Sequence, residues 1–271
     1  MKNIVAGLLT MPSRMIESFV RMSNEAKEAL FYLLAVATAE MITFLVDPIW
    51  GLIFYIPLMV VLIVRSALVR QQAYQRLFLS LSLSPLIRIL DLAMPRANFP
   101  VFWRFPIVYF PIMVAAIAVV RILNLKAAEI GVRPGILTTQ AGVVLLGFGL
   151  GVAEFYILKP VPLVNEFSVG AIWLPGILLF LSTGVVEEFI FRGVMQYTAG
   201  EVFGGWGGII YVGSLFAVLH LGFRSWIDVV FVFTVAILYG WIVKRTGSLL
   251  GVTLAHGLTN FILYLIAPFL F

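Results

Sequence analysis

Three short stretches of this chain carry acid–base residues where hydrophobic residues otherwise prevail. Glu187, Glu188 and Arg192 lie in STGVVEEFIFRGVM, His220 ends FAVLH, and His256 and Asn260 bracket HGLTN. An ionisable residue at the centre of a membrane helix costs roughly 2.5–3.5 kcal/mol on insertion scales, so each needs a partner or a task. On a helix, Glu188 and Arg192 are four apart with the acid first, the favourable order for an ion pair. Glu187 falls about 100° around the turn and keeps its carboxylate free. That carboxylate is placed to act as a base on water. A purely structural ion network is the competing reading of the three charges. His220 and His256 are the only histidines in the chain. Phe216 lies one helical turn before His220, and Asn260 one turn after His256, each on its histidine's face. A carboxylate, two imidazoles and an amide from three helices can hold and polarise one water.

The elements that must position these groups are membrane helices. The 271-residue chain is 62% hydrophobic and only 11% charged, against about 25% charged in soluble chains. Runs without Asp, Glu, Lys or Arg recur at 134–153, 202–223 and 247–271. Crossing a hydrocarbon core takes roughly 20 apolar residues. The pattern predicts an all-α, polytopic transmembrane helical bundle of eight or nine spans. Residues 1–28 form an N-terminal amphipathic interfacial segment, and 29–120 the N-terminal transmembrane helices. The third span, 77–94, is the weakest, because it carries Arg88 and Asp91. These are three apart and pair. Later spans are expected at 136–158, 169–195, 206–223, 226–243 and 248–271. The Gly-rich FGGWGGII lacks the Lys-Ser/Thr ending of a phosphate loop. It predicts a tight turn and close helix packing. Of the remaining acids in spans, Glu40 and Glu154 are expected at an interface or along a cavity, and Asp228 at the membrane interface.

The net charge of +5 does not imply a nucleic-acid partner, because the basic residues cluster between spans, where topology explains them. The absence of cysteine excludes disulfides, thiolate zinc sites and cysteine nucleophiles. With nine spans and a cytoplasmic N-terminus, most Lys and Arg fall inside. Only Arg96, Arg104, Lys159 and Arg224 fall outside. This predicts an integral protein of the cell (plasma) membrane with its N-terminus in the cytoplasm. His256 lies about 12 Å along its helix from Ser248, which predicts a cavity open to the cytoplasmic side.

Taken together, the three stretches resemble the motifs of the CPBP intramembrane proteases, the CAAX proteases and bacteriocin-processing enzymes. EEFIFR is similar to EExxxR, FAVLH to FxxxH and HGLTN to HxxxN/D, in that order. The resemblance covers 121–271, including the amphipathic LNLKAAEIGVRPG. It implies a catalytic transmembrane core whose conical cavity holds Glu187, His220, His256 and Asn260. The implied activity is peptide-bond hydrolysis by an intramembrane endopeptidase. Glu187 would be the base, with His220 helping to hold the water. His256 and Asn260 would stabilise the oxyanion. Glu188, Arg192 and Phe216 would support the site. The implied partners are membrane lipid and a peptide or protein substrate. CAAX-type members remove the last three residues of a prenylated C-terminus. Metal use stays open: Glu187, His220 and His256 make a His₂Glu zinc set on paper, which would make this a metalloprotease. There is no HExxH, however, and metal-free activation of water by glutamate is slightly favoured. A transporter, scaffold or immunity protein is the alternative, although the chain lacks the internal repeat common in transporters.

Overall fold

A computed structural model describes residues 22–94 and 101–271. Positions 1–21 of the expected amphipathic segment lie outside the described residues. The described chain folds into helices with no strand. In order they are α1 (Asn24–Leu45), α2 (Pro48–Leu68), α3 (Gln72–Leu81), α4 (Leu83–Ala93), α5 (Arg104–Ile122) and α6 (Leu137–Leu158). Helix α7 begins as Val169–Leu179 and continues through wider π-helical turns, Phe180–Glu187 and Phe189–Met195. Then come α8 (Gln196–Val218), α9 (Trp226–Thr246) and α10 (Leu250–Phe261), the last extended by π-helical turns over Ile262–Ile266.

Local chemistry sets the boundaries. Asp47 accepts a hydrogen bond from the Ile49 amide at 2.8 Å, and Pro48 follows at the first helical position, where its missing N–H costs nothing. Ser225 caps α9, and Gly247 ends it in the left-handed conformation (φ 64°). The break between α3 and α4 follows from Pro85, which has no N–H to offer the Leu81 carbonyl. That carbonyl is instead served by the hydroxyls of Ser84 at 3.0 Å and Tyr32 at 3.4 Å.

Seven segments among the described residues are long and apolar enough to cross a membrane. One of them, Val169–Phe223, is 55 residues long. It folds back at Gly204 (φ 74°, ψ 166°), a backbone conformation that needs glycine. The returning arm packs so closely that a Cβ on Gly208 would meet the Gly200 nitrogen at 2.6 Å. The turn and the close packing expected of FGGWGGII are therefore both present. With this segment counted as two passes there are eight, and α3–α4 as one broken pass makes nine, against the expected eight or nine.

The two ends of the bundle differ. At one end, Arg65 pairs with Glu28 at 2.7 Å and Arg76 with Glu201 at 2.7 Å. The 121–135 connector docks there as a series of turns. Arg133 donates to the Gly247 carbonyl at 2.6 Å, and the Leu249 amide donates to the Gly131 carbonyl at 2.9 Å. Ile130 and Leu249 are buried beneath it. At the other end lie the start of α5, the 159–168 loop, and the turn after α8.

Candidate active site

Glycines let α6, α7 and α10 approach until their backbones nearly touch. A Cβ on Gly147 (α6) would sit 2.2 Å from the Ala255 carbonyl oxygen, and one on Gly184 (α7) 2.7 Å from the Thr253 carbonyl oxygen. Small residues at such crossings are how membrane helices maximise packing. The consequence here is that His256 of α10 comes within reach of both glutamates of α7.

Glu188 is fully buried and shared. Its Oε1 lies 3.0 Å from Nη1 of Arg192 and 2.7 Å from Nδ1 of His256. The predicted pair with Arg192 is present, and the second bond to His256 was not foreseen. A carboxylate only accepts, so Nδ1 donates, and Nε2 is the ring nitrogen left for other work. Nε2 stands 3.9 Å from Oε2 of Glu187, too far for a direct hydrogen bond and suited to a bridging water.

Both glutamates thus lie near one imidazole, although an α-helix would set them about 100° apart. The reason is the π-helical winding of 180–195. Its i→i+5 bonds put more residues in each turn, so neighbours are separated by less than the 100° of an α-helix. Glu187 pairs with no Lys or Arg among the described residues. It accepts a hydrogen bond from the Tyr109 hydroxyl of α5.

His220 lies just beyond the last turn of α8, before Leu221–Phe223, and inside the membrane-length segment Val169–Phe223. The Phe216 carbonyl fixes its ring, accepting from Nδ1 at 2.8 Å. In the neutral ring, Nε2 is therefore the acceptor. Phe216 sits between the other groups. The Arg192 guanidinium lies 4.2 Å from its ring centroid, the His220 ring 4.7 Å and the His256 ring 6.2 Å, edge-on at 88°. It screens the buried cation and sets the angle of both imidazoles.

Glu187, His220, His256 and Asn260 all line one cavity of about 430 Å³. Its floor is buried at Thr183, Phe191, Arg192 and Tyr239, while Val101 and Phe223 at the rim are 57% and 49% exposed. The opening is at the α5-start end. The connector docks at the other end, and none of its residues lines the cavity. Among the described residues, no group of three His, Cys, Asp or Glu side chains draws together as metal ligands. Glu187, His220 and His256 share the cavity.

Other expectations resolve individually. Arg88 and Asp91 pair at 3.0 Å, and Glu40 is buried against Arg88 at 2.5 Å. Glu154 lines the cavity. Asp228 lies in the first turn of α9, at the start of its span; it is fully buried, and neither of its carboxylate oxygens meets a hydrogen-bond partner among the described residues. Tyr109 escaped the sequence reading, because one tyrosine among nine in apolar context carries no spacing signal.

Compared with known proteins, residues 169–262 match the family model described as type II CAAX prenyl endopeptidase Rce1-like. The match spans roughly a third of the chain and contains Glu187, Glu188, Arg192, Phe216, His220, His256 and Asn260. It begins after the connector that the resemblance had included. No curated protein and no solved structure matches the chain.

Proposed function

With an Rce1-like match enclosing all of these residues, we propose that the chain is an intramembrane endopeptidase that hydrolyses a peptide bond with water activated by Glu187. One observation carries the reading: the cavity holds a carboxylate with no cationic partner among the described residues. Only a tyrosine hydroxyl holds it, and an imidazole nitrogen stands one water away.

In the proposed reaction, water sits between Glu187 and the histidines. Glu187 takes its proton as the oxygen attacks the substrate carbonyl, and then passes that proton to the leaving amine. His220, with Nδ1 committed to the Phe216 carbonyl, accepts the water's second O–H at Nε2. Asn260 donates to the oxyanion, and so does Nε2 of His256, as an imidazolium that donates from both ring nitrogens. Glu188 holds His256 through Nδ1, and Arg192 offsets the Glu188 charge. No step is routed through a metal ion.

The test uses purified protein in detergent with prenylated and unprenylated peptides, with and without a chelator. Wild type is expected to cleave in the chelator's presence, and Glu187→Gln and His220→Ala to lose cleavage. Wild-type rates in both variants would remove the mechanism, and loss of activity on chelation would restore a metal. Ion-coupled transport without cleavage would favour a transporter.

A further inference from the structure

The cavity mouth and the basic residues lie at opposite ends of the bundle. Lys27, Arg65, Arg70 and Arg76 cluster at the end where α1 begins and α2 finishes. The connector and the helix ends packed on it add Arg121, Lys126, Arg133, Lys244 and Arg245. The mouth end has Arg104, Lys159 and Arg224. Arg88 and Arg192 belong to neither count, since both lie in buried ion pairs inside the bundle.

Contacts tie each set to a single end. Arg76 reaches Glu201 across 125 positions, Ser23 bonds Tyr74 at 2.6 Å, and Lys244 lies over the Trp206 ring. At the opposite end, Arg104 holds Asp91 at 3.0 Å, the Leu163 amide donates to the Tyr264 carbonyl, and Arg224 lies over the Phe44 ring. Lys and Arg near span ends are retained on the cytoplasmic side, while acidic residues contribute little to orientation. A ratio of nine to three among the described residues is a strong bias for short loops.

We infer that the cavity opens away from the cytoplasm, and that the substrate is a polypeptide segment presented on the non-cytoplasmic side of the membrane. The substrate class rests on the proteolytic reading above, whereas the orientation does not. At the basic end the connector is docked and none of its residues lines the cavity, so a cytoplasmic polypeptide finds no opening there. The open end admits a chain past Val101 and Phe223, whose apolar exposure suits a segment emerging from the bilayer.

The lack of native cysteine allows a direct test. Val161→Cys in the mouth-end loop and Ala128→Cys in the connector are both exposed positions outside the site. Intact cells are treated with a membrane-impermeant maleimide, and a second sample is permeabilised first. Val161→Cys should label fully in intact cells, and Ala128→Cys only after permeabilisation. The reverse pattern overturns the inference and returns a cytoplasmic C-terminal tail to the candidate substrates. A second arm adds, outside intact cells, an impermeant quenched peptide that the purified protein cleaves in detergent. Cleavage by wild-type cells and its loss with Glu187→Gln supports the substrate class. Cleavage only after permeabilisation overturns it. Absence of cleavage in detergent counts against the proteolytic reading alone, because the labelling reports orientation whatever the chemistry.

Discussion

Two charge clusters lie inside this bundle, and they differ in whether every acid in them meets a cation. In the N-terminal helices, Arg88 grips Glu40 with two bonds, at 2.5 and 3.0 Å, and Asp91 with a third. Arg104 closes the chain on Asp91, and the Tyr55 hydroxyl donates to Glu40. Two acids meet two permanent cations, and no charge is left over. On α7 in the C-terminal core, two acids meet one cation, Arg192. The surplus carboxylate, Glu187, faces the cavity with a tyrosine and two histidines around it. Charge inside a membrane protein marks an energetic cost that must be met. Uncompensated charge lining a cavity marks a site.

The largest expected break in this comparison is Glu187→Gln. It removes the base but keeps the side-chain shape, so peptide hydrolysis should fall about 10²–10⁴-fold while the melting temperature holds or rises. The matching change in the other cluster, Arg88→Met, should do the opposite. It strands Glu40 and should cost about 3–5 kcal/mol of stability, read as a lower melting temperature in detergent. Adding Glu40→Gln should recover most of that loss, because replacing both partners of a buried pair is often close to neutral. If Glu187→Gln unfolds the protein, or if Arg88→Met leaves stability intact and abolishes hydrolysis, the division between the clusters is wrong.

That division was partly legible before any coordinates. Glu188 and Arg192 announce their pair by spacing, and Arg88 and Asp91 theirs, because both contacts are made within one helix. Glu40 with Arg88 was not readable, since 48 positions separate them. The same holds for Glu188 with His256, 68 apart. Their meeting depends on a glycine-lined crossing of α7 and α10, and on π-helical turns that no hydrophobic pattern encodes. Glu187 was readable as the free acid but not as the partner of Tyr109, which arrives from a helix 78 positions earlier. The end at which the cavity opens was not readable for a related reason. Helical rise gives the depth of His256 but says nothing about the end at which a connector docks.

Smaller effects sharpen the comparison. Tyr109→Phe removes the hydroxyl that aims Glu187 but leaves the carboxylate in place. A hydrogen bond to a charged group contributes about 1.5–3 kcal/mol, and part of it is recovered when water takes the donor's place. About a tenfold loss in kcat is expected, corresponding to 1.4 kcal/mol, with KM little changed. A loss confined to KM would mean that Tyr109 contacts substrate rather than orienting the base.

The smallest expected effect lies outside both clusters. Arg65 holds Glu28 through three short bonds at 2.7–3.0 Å, a geometry as good as that of the buried pairs. Its side chain is 36% exposed and that of Glu28 45%. Water and salt already stabilise both charges, so Arg65→Ala should cost under about 1 kcal/mol and leave hydrolysis unchanged. Arg88→Met, at least three times as costly with similar distances, would then establish burial rather than hydrogen-bond length as the variable that separates these pairs. Equal losses from the two substitutions would instead show that the membrane environment makes even the rim pair effectively buried. The comparison would then have to be redrawn between compensated and uncompensated charges alone.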